Sequence, residues 1–183
     1  MNPVVDEVLQ VFRERGDQSY GTEAVTQLEH ALQTAALAIE HDAQASLVAA
    51  ALLHDIGHIR ESNQDQQGES SLDDKHEDTP YRWLLQHFGK AVADPVRLHV
   101  VAKRYLCTKQ ADYERTLSPT SHESYLQQGG RMDDAELAAF EAEEFWREAL
   151  RLRVWDDTAK DPTKATPPIE EFITYVERAL LAT

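Results

Sequence analysis

The stretch AALLHDIGH, residues 50–58, decides the fold of this chain. An apolar helical run ends abruptly in an imidazole, a carboxylate, a glycine and a second imidazole. Burying such polar side chains is unfavourable unless they have partners. Histidine nitrogen and aspartate oxygen suit iron, manganese and zinc. The pair His54 and Asp55 is therefore a candidate metal site, in which the two oxygens of Asp55 can bridge two ions while His54 binds one.

The same stretch also fits an ordinary helix C-terminus. In that interpretation Asp55 and His58 satisfy backbone groups, and Gly57 supplies the left-handed cap. The His-Asp dipeptide alone leaves both interpretations open, so the rest of the chain must distinguish them.

Composition limits the classes of partner. The chain has 183 residues, of which 42% are hydrophobic, and its net charge is −15 with a pI near 4.8. These values predict one domain spanning residues 1–183, with no nucleic-acid partner and no anionic membrane surface. No apolar run is long enough to span a bilayer. An anionic substrate would need a local basic pocket to overcome the global charge.

The single cysteine, Cys107, excludes an intrachain disulfide and fits a reducing cytoplasm. No motif surrounds this thiol, so we expect a buried small hydrophobe rather than a nucleophile. Residues 1–16 are polar and charged, unlike a signal peptide. The sequence therefore predicts a cytoplasmic protein.

Helix signals dominate, because apolar residues recur at helical spacing and β-branched residues do not alternate. We expect an all-α bundle of about seven to eight helices, with a surface loop at residues 61–75. The helices expected from periodicity alone cover residues 22–40, 43–54 (the most apolar and therefore central) and 77–87. Capping signals predict four more: a helix opened by Asp94-Pro95 and reaching about Leu106, one opened by Ser118-Pro119 and stopped by Gly129-Gly130, a long one opened by Asp133 with Glu136 and reaching Trp155, and a last one at residues 169–181 opened by Thr166-Pro167.

Candidate metal ligands recur on separate predicted helices. A lone histidine on an apolar face is more often a satisfied core residue than a ligand, but this chain repeats the pattern. The order provides enough groups for two ions that share Asp55: His30, His54, Asp55, His76, His99 and Asp156.

This order of ligands resembles the HD-domain superfamily, in the version with two extra histidines that holds a dinuclear centre. Several separated motifs are similar to those of the mixed-valent diiron oxygenases of phosphonate breakdown: residues 27–30, 52–58, 102–106, 128–132 and 153–156. The resemblance implies two iron ions, Fe(II)/Fe(III), with O2 as co-substrate. The implied substrate is 1-hydroxy-2-aminoethylphosphonate or its N-trimethyl analogue, whose carbon–phosphorus bond is cleaved to give phosphate and glycine or glycine betaine. It also implies an upstream 2-oxoglutarate-dependent hydroxylase that makes the 1-hydroxy substrate.

The resemblance assigns a role to each matching position. One iron is held by His30, His54 and Asp156, and the other by His76 and His99, with Asp55 bridging. In this resemblance Tyr20 caps the second iron until substrate displaces it, and Glu23 lies near the amine end of the substrate. The implied catalytic residues are Tyr20, Glu23 and Asp55. The phosphonate is received by His58, Lys103, Ser121 and Arg153.

The residues themselves fit an anionic substrate. Lys103 follows His99 by one helical turn, and Arg153 lies three residues before Asp156, so each cation is expected beside a ligand. His58 likewise follows His54 by four residues. Without the motifs, the favoured interpretation of Lys103 would be an exposed basic residue, and that of Arg153 a salt-bridge partner.

Two other functions remain open at this point. The same ligands could serve a metal-dependent phosphohydrolase of a nucleotide or small phosphate ester, or a non-catalytic metal-binding sensor module. Tyr20 and Glu23, placed ahead of His30, favour the oxygenase, although Tyr20 could equally be a packing residue. A trimethylammonium group would call for aromatic faces, and Tyr105, Tyr113 and Tyr125 are further candidates that the sequence does not place.

Overall fold

A computed structural model describes residues 2–61 and 78–181 of the chain. Within these ranges the secondary structure is helical and no β-sheet forms. The all-α prediction is confirmed, and the described ranges contain slightly more helices than the seven to eight expected. In chain order the helices are α1 (Pro3–Arg15), α2 (Gln27–Glu40), α3 (Ala45–Leu53), α4 (Ile56–Glu61), α5 (Asp78–Phe88), α6 (Lys90–Lys109), α7 (Pro119–Gln127), α8 (Asp134–Glu141), α9 (Trp146–Thr158) and α10 (Ile169–Ala179), with a 3-10 turn at Tyr113–Thr116 before α7.

Helix α3 is the centre of the bundle. Its residues 47–53 are all buried, and it packs against α2, α6, α9 and α10. A helix that is apolar all round has no face to offer to water, so it is surrounded by other helices. Its C-terminal end therefore delivers His54 and Asp55 to the interior of the protein.

Helix α1 was not predicted, because the charged residues of the N-terminus obscure a narrow apolar stripe. Val5, Val8, Leu9 and Phe12 are all buried in the main core. The helix is opened by Asn2, whose side chain accepts a hydrogen bond from the Val4 amide at 2.9 Å.

The predicted start of the fourth helix at Asp94-Pro95 is wrong. Helix α6 begins at Lys90, after Gly89 with φ +73°, and runs through Pro95. Asp94 does not cap a helix, because its carboxylate accepts a hydrogen bond from the Tyr81 hydroxyl at 2.8 Å. The tertiary contact with α5 thus replaces the local capping signal.

The expectation of one continuous helix from Asp133 to Trp155 is also wrong, because the chain forms two helices separated by residues 142–145. The Asp133–Glu136 capping box forms, but α8 ends at Glu141 and α9 begins only at Trp146. Three glutamates at positions 141, 143 and 144 crowd the end of α8. Negative charge is unfavourable at a helix C-terminus, so the chain turns there.

The helix expected from residue 22 begins only at Gln27, after the capping residue Thr26, whereas the remaining boundaries agree more closely with expectation. Ser118 caps α7, which stops before the positive-φ pair Gly129 and Gly130. The last helix is capped at Pro168 rather than opened at Thr166-Pro167. In the described part of the chain, no helix combines the length and apolarity needed to cross a bilayer. From residue 62 onward, the predicted surface loop lies outside the described residues.

Candidate metal centre and adjoining cleft

Three histidines and two aspartates converge where α2, α3, α6 and α9 meet. The Nε2 atoms of His30 and His54 lie 3.1 Å apart, and His30 Nε2 is 3.3 Å from Asp156 Oδ1. His54 Nε2 is 3.3 Å from Asp55 Oδ2, and His99 Nε2 is 4.0 Å from Asp55 Oδ1. All five residues are buried. The structure therefore brings together five of the six ligands predicted from sequence, while His76 lies outside the described residues.

Backbone carbonyls orient all three imidazole rings. Because a carbonyl can only accept, each Nδ1 carries a proton and each Nε2 faces the centre, where it can bind a metal ion once deprotonated. The three pairs are His30 with Ala159 at 2.8 Å, His54 with Ala51 at 2.9 Å, and His99 with Val96 at 2.5 Å.

The donor set fits metal ions. Among the described residues, two groups have ligand atoms close enough to hold one ion each: His30, His54 and Asp156, and His54, Asp55 and His99. The Nε2 atoms of His30 and His54, 3.1 Å apart, repel each other unless a proton or a metal ion lies between them. In addition, Asp156 Oδ1 is buried without a hydrogen-bond partner, which is unfavourable unless something positive binds it.

The charges of the centre are strongly coupled. Burial opposes ionisation of His54, but Asp55 outweighs it and raises the pKa of His54 to about 9. Burial, together with the charge on His54, lowers the pKa of His99 to about 4. Burial would raise the pKa of Asp55, yet His54 holds it well below its usual range. In the metal-free centre a proton on His54 thus balances the charge of Asp55, and such a proton must leave when a metal ion binds.

Tyr20 covers one side of the centre. Its ring stacks on His30 with centroids 3.8 Å apart and an interplanar angle of 16°. Burial and the nearby charges of Asp156 and Asp55, to which its side chain is hydrogen-bonded, raise the pKa of Tyr20 far above its ordinary value. In the absence of metal the phenol is therefore protonated and acts as a donor.

A cleft of about 330 Å³ opens beside the centre, and Asp55, His99 and Asp156 form part of its wall. The six residues predicted to contact substrate all line it: Tyr20, Glu23, His58, Lys103, Ser121 and Arg153. The placement agrees with the predicted roles, which themselves remain predictions.

Lys103 is a buried cation without a carboxylate partner among the described residues. It is 3% exposed, and its ammonium donates to Ser124 Oγ at 2.5 Å. Burial, reinforced by the charge of Arg153, lowers the pKa of Lys103 to about 8. A buried lysine bonded only to a hydroxyl is unfavourable until an anion arrives. This arrangement excludes the exposed base that the sequence had left as an alternative.

Arg153, by contrast, is already paired. Its Nη1 donates to Asp156 Oδ2 at 2.8 Å and its Nε to Asp157 Oδ2 at 2.8 Å, and Nη2 contacts Asp157 Oδ1. The salt-bridge alternative is thus observed, although Arg153 also lines the cleft. Its guanidinium holds Asp156 through Oδ2, while Oδ1 of the same carboxylate faces His30.

Sequence reasoning missed several residues of the cleft. Lys160 Nζ lies 3.3 Å from Glu23 Oε1 and 3.0 Å from Ser121 Oγ. Gln27 lines the cleft with its Oε1 buried and without a partner. Lys160 follows Asp156 by four residues, the spacing that singled out Lys103, so the same criterion would have identified it.

Cys107 is buried, and burial raises the pKa of its thiol to about 11. The expectation of a packed, unreactive side chain is therefore met.

Residues 28–159 of the chain match the HD domain family. The chain belongs to the HD-domain family. It is 46% identical over 177 residues to a hydroxymethylphosphonate dioxygenase of Gimesia maris, covering 96% of this chain and 88% of that protein. It is 36% identical over 179 residues to the [1-hydroxy-2-(trimethylamino)ethyl]phosphonate dioxygenase (glycine-betaine-forming) of Leisingera caerulea, covering 96% and 89%. An uncharacterised protein of Acanthamoeba polyphaga mimivirus is 35% identical over 170 residues, covering 92% and 78%.

These relatives place the HD-domain protein in a group that includes phosphonate dioxygenases. The resemblance drawn from the separated sequence motifs is thereby confirmed. The comparisons name two different 1-hydroxyphosphonates as substrates of the relatives, so they leave the substrate of this chain to be argued from its cleft.

Proposed function

We propose that this HD-domain protein is an O2-dependent oxygenase that cleaves the carbon–phosphorus bond of a 1-hydroxyphosphonate. The reaction balances as R–CH(OH)–PO3H2 + O2 giving R–COOH + H3PO4. The observation that carries the proposal is the placement of Lys103, a buried cation with only a hydroxyl partner, in the same cleft as the His/Asp centre. An anion bound at Lys103 would have its neighbouring carbon beside the metals.

Three substrates share this chemistry. The sequence motifs favour 1-hydroxy-2-aminoethylphosphonate, which would yield glycine, or its N-trimethyl analogue, which would yield glycine betaine. The name of the Gimesia maris relative adds hydroxymethylphosphonate, in which R is hydrogen.

The proposed cofactor is a pair of iron ions in the Fe(II)/Fe(III) state. His30, His54 and Asp156 would hold one ion and His99 the other, with Asp55 bridging and His76 as a further proposed ligand. When bound, the iron pair supplies the activation of O2. Oxygen and imidazole donors of this kind suit iron, and the orphaned Asp156 Oδ1 supports a cation at the centre.

The chain's own residues would bind and orient the substrate. Lys103, His58 and Ser121 would hold phosphonate oxygens, and Arg153 would add charge while keeping Asp156 in place. Charge-assisted hydrogen bonds of this type are roughly twice as strong as neutral ones. Tyr20 would shield the centre, with its hydroxyl donating to Asp55, until substrate takes its place.

We further propose that the chain works as a single domain in a reducing cytoplasm. Its substrate must be supplied by hydroxylation of a parent phosphonate at the carbon next to phosphorus. A 2-oxoglutarate-dependent hydroxylase is the proposed upstream partner.

The test is EPR spectroscopy of protein loaded with iron anaerobically, with phosphate release and O2 uptake measured after air is admitted. Each of the three hydroxyphosphonates is added in turn. We expect a mixed-valent signal that one substrate perturbs, and phosphate release that requires O2. Phosphate released from esters without O2 would favour a phosphohydrolase instead, and iron binding without turnover of any compound would favour a sensor module.

A further inference from the structure

An ion pair between Glu23 and Lys160 forms one wall of the cleft. Lys160 Nζ lies 3.3 Å from Glu23 Oε1, and the side chains are only 11% and 17% exposed, respectively. Ser118 donates a hydrogen bond to the same Glu23 oxygen at 2.5 Å, while Lys160 also donates to Ser121 at 3.0 Å. The negative charge of Glu23 is therefore neutralised within the protein.

The aromatic surface of the cleft is also limited. Tyr20 stacks on His30, and the Lys160 ammonium lies 5.8 Å from its ring centroid. Tyr20 is the only Tyr, Trp or Phe among the described residues that line the cleft. Tyr105 packs against Phe140 elsewhere, in the smaller core cluster. A quaternary ammonium is ordinarily held by several aromatic faces, and here the available ring already faces a lysine.

Charge balance indicates where each part of a substrate would lie. Arg153 is paired with two aspartates and Lys160 with Glu23, whereas Lys103 has no carboxylate partner in the described ranges. A phosphonate is therefore attracted first to Lys103, and the hydroxylated carbon beside it to the His/Asp centre. A substituent on that carbon then meets the remaining polar wall, the Glu23–Lys160 pair.

We infer that Lys160 sets the charge of the substrate's substituent. By neutralising Glu23, it removes the counter-ion that an ammonium would need, and so makes the enzyme select a 1-hydroxyphosphonate whose carbon bears no cationic group, of which hydroxymethylphosphonate is the smallest. This inference rests on the proposed oxygenase function. Lys160 acts here as a specificity residue and takes no part in bond cleavage.

The experiment compares kcat/KM for hydroxymethylphosphonate and for 1-hydroxy-2-aminoethylphosphonate. Wild-type protein should prefer the former by at least about tenfold, because an ammonium that is desolvated against the neutral Glu23–Lys160 pair finds no free counter-ion, a cost above about 1.4 kcal/mol. Lys160→Met should reduce that preference by about tenfold or more, because it frees the Glu23 carboxylate. Glu23→Gln should increase the preference, because it leaves the Lys160 charge unneutralised.

A matched control removes the same charge elsewhere. Lys164 pairs with Glu40 at 3.4 Å and does not line the cleft. Lys164→Met should leave the preference unchanged. Opposite shifts for Lys160→Met and Glu23→Gln distinguish a charge effect from general damage, which would move both substrates together.

The inference is overturned if wild-type protein prefers the aminated substrate. It is equally overturned if the Lys160→Met and Lys164→Met variants show the same preference for hydroxymethylphosphonate over the aminated substrate. If Lys160→Met does not fold, Lys160→Gln removes the same charge with a polar side chain and takes its place in the comparison. Absence of O2-dependent phosphate release from every hydroxyphosphonate, in iron-loaded wild-type protein, would instead reject the proposed function itself.

Discussion

The buried lysine of the cleft gives the sharpest prediction, because its pKa lies within the accessible pH range. The pKa of Lys103 is lowered to about 8, first by burial and then by the charge of Arg153, whereas Asp157 and Asp156 oppose the shift. An ordinary lysine titrates near 10.4. The binding-competent, charged form of Lys103 is therefore complete below pH 7 and is lost as the pH rises through 8.

The expected fall in kcat/KM follows from the fraction of Lys103 that stays protonated. At pH 9 about one lysine in eleven is protonated when the pKa is about 8, so kcat/KM should fall about tenfold from its plateau. The loss cannot exceed the value of the interaction itself, because a hydrogen bond between charged groups contributes about 1.5–3 kcal/mol, or roughly 10- to 150-fold. Lys103→Met should show that full loss already at pH 7.

The assay measures O2-dependent phosphate release between pH 6 and 10, with iron content determined for each sample. The Lys103→Met profile reports the ionisation of the substrate and of all other groups, so the ratio of wild type to variant isolates Lys103. That ratio should fall with a midpoint near pH 8. Lys103→Arg should stay charged and remove the midpoint. A ratio that does not change with pH would refute the role of Lys103 as the phosphonate-binding cation.

Three further variants test the centre and the core. Asp55→Ala should lose bound iron and activity together, because the variant lacks the proposed bridge; full metal content after dialysis would contradict bridging. Tyr20→Phe should retain iron, because the ring can still stack on His30, but it should alter the EPR spectrum of substrate-free protein; an identical spectrum would argue against a phenol next to the metal. Leu152→Ala, which empties a fully buried position, should lower the free energy of unfolding by about 2–5 kcal/mol. Val154→Ala, the control at a 40% exposed position of the same helix, should change the free energy of unfolding far less. Both variants are measured by urea denaturation of iron-loaded protein.

The central helix and the cluster of histidines and aspartates at its end could be predicted because their signals are local and strong. Residues 47–53 are apolar on every side, which requires burial, and the polar residues that end the helix then lie inside the protein. The spacing of Val5, Val8, Leu9 and Phe12 carried an equally readable signal for α1. It was missed because the charged residues between them dominated the composition of the N-terminus.

Other features depend on contacts that no local pattern contains. Asp94 followed by proline is a proper capping signal, but the Tyr81 hydroxyl takes its carboxylate and α6 starts earlier. Similarly, Glu23 and Lys160 lie in segments far apart in sequence, and their pairing follows only from the packing of the loop before α2 against the end of α9. Sequence can nominate such residues, whereas their partners have to be seen.

The partners matter because they decide which charges remain available. With a net charge of −15 the protein repels anions at long range, so a phosphonate must be captured by a local charge that nothing else neutralises. Among the described residues, the cleft contains the three cations Lys103, Arg153 and Lys160, and the last two are paired with carboxylates. Counting cations would have assigned the phosphonate equally to Lys103, Arg153 and Lys160. Pairing distinguishes them: Arg153 is held by Asp156 and Asp157, Lys160 neutralises Glu23, and Lys103 is the cation that we propose binds the phosphonate.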